Sequence, residues 1–152
     1  MVAAYRLVRH EFRERIWTGE GARRAGGRWN GPGTAVVYVS ESRALAVLEQ
    51  LVRMKPRDVL HAYVVADIRF EQSQIQRIDW HELPADWCAT QAPPALQQYG
   101  DAWIAAAAFP VLAVPSAIIH DEWNYLLNPN HPAFAKLIKT EPKPFTFDAR
   151  LS

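Results

Sequence analysis

Glu49, Arg28 and Tyr38 are the residues of this chain whose types and spacing suggest chemistry. In ESRALAVLEQLVR, read as a helix, Glu49 falls inside the apolar stripe of Leu45, Leu48 and Val52 and is expected to face inward. Burying an ionised carboxylate is costly unless it is paired or hydrogen-bonded. Glu49 therefore either pairs with an arginine, fastening its helix to an arginine-rich loop as in a non-catalytic binding module, or opens onto a cleft. Tyr38 lies on the strand leading into that helix, and Arg28 in the loop leading into the strand. The loop segment GGRWNGPG carries four glycines, which allow close approach of backbone to a ligand. An acid, an aromatic ring and a base converging there would suit a phosphorylated sugar bearing a planar base. Taken singly, Tyr38 reads as a core aromatic, Arg28 as a surface charge and the glycines as tight turns. Ser116 likewise reads as a satisfied core serine, and Asn124 as a turn residue.

The elements that would position these residues follow from local pattern. AYRLVRH alternates as a first strand, and an irregular Gly- and Arg-rich loop runs to Gly33. TAVVYVS is a strand, after which Ser40 is expected to cap a helix running from about Glu41 to Arg53, with Glu41 in its first turn. VLHAYVVADI is a further strand, Gly100 to Ala108 a helix and VLAVPSAII another strand. Its Pro115 removes a ladder donor and suggests an edge position or a bulge. EWNYLLNPNHP carries turn signals, a short helix is expected around Ala133 to Ile138, and FTFD could add a last strand. No repeat or linker divides the chain, so residues 1–152 read as one α+β domain.

Composition removes several function classes. With 49% apolar and 22% charged residues and a net charge of +1, the chain is globular and carries no field suited to nucleic acid or a membrane. Its arginines nevertheless crowd the first part, at positions 6, 9, 13, 15, 23, 24 and 28, which suits a local anion site. The single cysteine, Cys88, excludes an internal disulfide and points to a reducing, cytoplasmic setting. MVAAYRLVRHEFRERI lacks an unbroken apolar core, so no export signal is read, and the prolines within Ala102 to Ile119 argue against a membrane span. GEGARRAGG precedes a strand and has neither dinucleotide-loop nor P-loop spacing. The five histidines show no metal-binding spacing, and Ser116 lacks the nucleophile-elbow context.

YRLVR, GGRWNGPGTAVVYVSES with ALAVLE, LAVPSAII and EWNYLLNPNHP occur in this order along nearly the whole chain. Together they resemble the RES-domain toxins of bacterial toxin–antitoxin modules, whose defining arginine, glutamate and serine match Arg28, Glu49 and Ser116. The resemblance implies a small mixed or antiparallel β core with flanking helices, similar to mono-ADP-ribosyltransferases. It implies action on NAD as substrate, either degradation by hydrolysis or phosphorolysis or transfer of ADP-ribose to a protein, and an Xre-type helix-turn-helix antitoxin as partner. The oligomeric state stays open, with a homodimer inside the toxin–antitoxin complex as one arrangement and six tryptophans pointing to a partner interface.

Under that resemblance Glu49 would stabilise the oxocarbenium-like charge that develops when the nicotinamide–ribose bond breaks. Arg28 would clamp the pyrophosphate, assisted by Arg6, because a planar guanidinium pairs bidentately with phosphate oxygens. Tyr38 would stack on the nicotinamide or ribose. Ser116 would hydrogen-bond the nicotinamide amide or ribose, with Asn124 supporting it. No metal or other cofactor is called for, and inorganic phosphate is a candidate co-substrate.

Overall fold

Strand β1 (Val2–Arg9) runs antiparallel to both β2 (Val37–Ser40) and β3 (Tyr63–Phe70), which places the N-terminal segment inside the sheet. The computed structural model describes residues 1–151. The remaining strands are β4 (Ile75–Arg77), β5 (Val111–Pro115), β6 (Trp123–Leu127), β7 (Ile138–Lys139) and β8 (Lys143–Phe145). The helices are α1 (Glu20–Ala25), α2 (Arg43–Leu51) and α3 (Pro94–Ala106). The strand order is β4-β5-β6-β2-β1-β3-β7, with β8 also pairing with β3. Only the β4–β5 pair is parallel among the described residues, so the sheet is mixed and mainly antiparallel, as expected for the α+β class.

Both faces of the central strands are buried. Val111, Ala113, Tyr125 and Leu127 join one apolar cluster with Val37, Val39 and Phe70. The alternate residues Leu112, Val114 and Leu126 join another with Trp29, Leu96 and Trp103. Strands covered on both sides read as continuous apolar runs, which is why VLAV and YLL lack a polar alternation.

Several expectations are corrected by this topology. β6 forms within a segment whose turn signals suggested no strand; the turns begin only after it, at Asn128. Pro115 is not on an edge strand, since β5 lies between β4 and β6. It is tolerated because β4 pairs only as far as Ala113, leaving Pro115 opposite Trp123 alone. The cap of α2 is Ser42, whose hydroxyl accepts from the Leu45 amide at 3.0 Å, and not Ser40. Glu41 stays outside the helix and accepts from the Trp123 amide at 2.9 Å. The terminal helix shrinks to a short 3₁₀ turn at Phe134–Lys136, and the last strand lies at Lys143–Phe145, ahead of the FTFD expectation. Of the six tryptophans, Trp29 and Trp103 are buried, and Trp80 is exposed with its ring against those of the half-buried Trp87 and Trp123.

Helix α3 is held against the glycine-rich loop by an unusually close approach. A Cβ added at Gly100 would lie 1.6 Å from the Trp29 carbonyl oxygen. Neither a buried helix interior nor the backbone of Trp29 can move aside cheaply. Gly100→Ala is therefore expected to lower unfolding stability by about 3 kcal/mol or more, read as a fall in the urea midpoint at unchanged slope.

Candidate active site

The sheet register sets Tyr5 opposite Ser40 on β1 and β2, and Ser40 opposite Asn124 on β2 and β6. These three residues form a row across the sheet, and helix α2 follows β2 closely enough to lie over the end of that row. Tyr5, Ser40 and Asn124 line a cleft of about 380 Å³, open to solvent, together with Arg6, Tyr38, Glu49 and Arg53. The buried face of α2 is Leu45 and Ala46, with Glu49 one turn further on the same side. Leu48 and Val52 are instead exposed, at 37% and 64%, so the apolar stripe is rotated from its expected position while Glu49 still faces inward. The rotation leaves the carboxylate at the cleft.

Glu49 forms no ion pair among the described residues, so the Glu–Arg fastening is not the arrangement adopted. Its Oε1 accepts one hydrogen bond, 3.0 Å from the Ser116 hydroxyl. Ser116 is fully buried at the end of β5, and its oxygen accepts from the amides of Ile118 and Ile119, both at 3.1 Å. With two N–H groups on its lone pairs, the hydroxyl can only donate toward the carboxylate. Ser116 thus acts on Glu49 and does not line the cleft itself. The turn that carries it is closed by the Ser116 amide donating to the Glu122 carbonyl at 2.9 Å.

Asn124 accepts from the Ser40 hydroxyl at 2.6 Å through Oδ1, and its Nδ2 donors have no partner among the described residues. Since no buried side-chain polar atom lacks a partner among those residues, this amide must face the open cleft. Arg6 donates from Nε to the Ile16 carbonyl at 2.7 Å and from Nη1 to the Tyr38 carbonyl at 3.0 Å. Burial, and secondarily the nearby Arg53 cation, pull its pKa down to about 10, so it still carries its charge at neutral pH. Arg53 reaches the cleft from one turn beyond Glu49, its Nε donating to the Glu49 carbonyl at 3.2 Å. Its i+4 spacing from Glu49 was the available sequence signal for a residue that pattern reading passed over.

Tyr38 and Arg28 are held by the glycine-rich loop. The Tyr38 hydroxyl donates to Asn30 Oδ1 at 2.5 Å and accepts from the Trp29 amide at 3.1 Å. Burial pushes its pKa up, so it remains a donor. A Cβ at Gly27 would stand 2.8 Å from that hydroxyl, so this glycine serves packing inside the protein, not approach to a ligand. Arg28 differs most from its expected role. Its Nη1 donates to the Trp87 carbonyl at 3.1 Å, and its Nη2 to the carbonyls of Ala89 and Thr90 at 2.8 and 3.2 Å. It does not line the cleft. The guanidinium fork instead ties the loop over residues 87–90 to the glycine-rich segment. Trp87 in turn packs against His120, in the turn after Ser116, at a ring separation of 5.0 Å.

Comparison with known proteins decides the family. A profile described as the RES domain matches residues 3–148. The chain belongs to the RES-domain family. The Toxin Res of Yersinia enterocolitica is 35% identical over 148 residues, covering 97% of each chain. The Toxin Res of Photorhabdus laumondii is 38% identical over 97% of this chain and 95% of its own. A Prs ADP-ribosylating toxin of Sphingobium is 33% identical over 88% and 85% of the two chains. This RES domain is therefore a RES-type toxin. In fold it superposes on a chain of the M. tuberculosis MbcT–MbcA toxin–antitoxin complex with a TM-score of 0.75 and 19% identity, covering 95% of this chain and 84% of that one. No helix among the described residues of the RES domain is long and apolar enough to cross a membrane.

The Arg28 geometry makes a direct stability prediction. Arg28→Ala removes three charge-assisted hydrogen bonds and releases the loop that buttresses the Ser116 turn. A loss of about 2–3 kcal/mol is expected, seen in denaturant unfolding. Hydrogen exchange should quicken over residues 87–90 before it does in the central strands.

Proposed function

We propose that this RES domain is the toxin of a toxin–antitoxin pair, and that it degrades NAD by cleaving the nicotinamide–ribose bond and so arrests growth. The observation that carries the reading is the Glu49 carboxylate, which opens on the cleft, is oriented by one neutral hydroxyl and has no cation paired with it among the described residues. A carboxylate so placed is available to a positive charge that develops only in the reaction.

In this reading the bond between ribose C1′ and the pyridinium nitrogen breaks, its electron pair goes to the ring, and nicotinamide leaves neutral. The sugar carries the positive charge, which Glu49 stabilises. Ser116 is a positioning residue that holds the Glu49 rotamer. The Tyr38 ring, anchored by its hydroxyl, restricts the nicotinamide ribose, and the free amide of Asn124 donates to the substrate. Arg6 and Arg53 take the phosphate contacts first expected of Arg28, which orders the surrounding loop. Water or inorganic phosphate attacks C1′, and the basic rim favours phosphate. The reaction needs no metal, because the leaving group departs from an already cationic ring. The antitoxin, of the helix-turn-helix Xre type, would restrain the toxin by covering this cleft, and the toxin alone would not bind DNA.

A second reading, transfer of ADP-ribose to a protein, shares every one of these contacts and differs only in the acceptor. It is favoured by the 33% identity to an ADP-ribosylating toxin.

Chromatography of NAD incubated with the antitoxin-free protein tests the proposal. Nicotinamide release that depends on phosphate identifies phosphorolysis, and release without it hydrolysis. No release from NAD alone, with mass addition to a protein target, selects the second reading. Neither release nor mass addition would reject both. Glu49→Gln is expected to lower kcat by about 10²-fold or more at unchanged melting temperature. Ser116→Ala should lower kcat by about tenfold with little change in KM, the split expected of a residue acting through Glu49.

A further inference from the structure

Strand β1 pairs with β3 along its whole length but with β2 only at Tyr5, opposite Ser40. The chain leaves the sheet after Ser40, and α2 begins at Arg43. Beyond Tyr5 the β2 side of β1 therefore has no strand to pair with. In an antiparallel ladder alternate residues direct their backbone groups to the same side, so the Leu7 carbonyl points to where β2 would have continued. Leu7 is buried, and a buried carbonyl without a donor is costly. The donor comes from α2: Gln50 Nε2 lies 2.7 Å from the Leu7 oxygen and stands in for the missing ladder amide.

Apolar contact would not by itself bring Gln50 there. On a helical wheel at about 100° per residue, Gln50 lies nearly opposite the middle of the stripe formed by Leu45, Leu48 and Val52. Docking by that stripe would bury Leu48 and Val52 and turn Gln50 to solvent. The helix instead leaves those two residues exposed and buries Leu45 and Ala46. Burial of apolar area has no preferred direction, whereas a hydrogen bond fixes one. Among the described residues two side-chain hydrogen bonds join α2 to the rest of the protein, Gln50 to Leu7 on β1 and Glu49 to Ser116 at the end of β5. The two donors and acceptors sit on adjacent helical residues, so a rotation of α2 that breaks the first bond also carries Glu49 away from the second.

We infer that Gln50 is a positioning residue for the Glu49 carboxylate: its bond to the Leu7 carbonyl holds α2 in the rotation that brings Glu49 to the Ser116 hydroxyl and to the cleft. What the carboxylate does there rests on the NAD reading above; where it is held does not.

Gln50→Met keeps the length of the side chain and removes the donor. With glutamate labelled at the side-chain carboxyl carbon, the Glu49 resonance of this variant should move from its wild-type position toward that of Ser116→Ala, in which the bond is lost outright. That readout needs no turnover. In kinetics, Gln50→Met should lower kcat by roughly tenfold with little change in KM. Gln50→Met/Ser116→Ala should be slower than Ser116→Ala by no more than about twofold, because both residues act through one carboxylate. A Glu49 resonance that moves in this way in a protein that does not cleave NAD would sustain the role of Gln50 and refute the proposed activity. A resonance that stays at its wild-type position, or kcat losses that multiply in the double variant, would overturn the assignment. The wild type supplies a further test that does not depend on any variant folding: the Gln50 side-chain amide protons should exchange with water roughly tenfold or more slower than those of the exposed Gln72. Equal exchange would remove the bond and the inference with it.

Discussion

The hydrogen bond from Ser116 to Glu49 is the contact on which the rest of the site depends. A half-buried carboxylate must be satisfied by something, and a neutral donor satisfies it without cancelling its charge. An arginine in the same place would pair with the carboxylate and cancel its charge, which in the proposed reaction would leave nothing for a developing cation. The serine can play this part because it is buried, because two amides occupy its lone pairs, and because the β5–β6 turn holds it at the end of a strand with both faces packed. The same turn delivers Asn124, which pairs with Ser40 across the sheet.

Around that contact the conspicuous residues of the sequence are mostly framework. The glycine-rich loop closes over the Tyr38 hydroxyl, and the Asn30 amide is bound to the carbonyls of Ala22, Gly31 and Thr34. Arg28 extends the frame to residues 87–90. Trp87 then meets His120, so one continuous set of contacts runs from the loop to the Ser116 turn. A position can thus mark a family while its side chain contacts only backbone, since a misplaced turn would displace the carboxylate as surely as its removal.

The charges divide by location. Arg9, Arg23, Arg69 and Arg150 form ion pairs, each with a neighbour no more than three residues away in sequence, and Arg9 also with Asp58. Arg6 and Arg53 have no carboxylate within ion-pair distance among the described residues, and both line the cleft that Glu49 faces.

Much of the fold was legible because strands and helices write their own periodicity. β1, β2, β3 and β5 stand where apolar runs predicted them, and Glu49 was conspicuous because a charge among leucines is costly. β6 was hidden by the turn signals that follow it, and the phase of α2 by an apolar residue at each of two exposed positions, Leu48 and Val52. Motif order alone was enough to indicate the RES family, since separated segments in a shared order reflect the whole chain. The partners of each functional group were decided only in three dimensions. Ser116 and Glu49 are 67 residues apart, and Arg28 lies 59 to 62 residues from the carbonyls it binds. Local sequence sets which conformations a segment prefers, but whether an arginine faces a ligand or a carbonyl depends on which distant backbone the sheet register brings beside it.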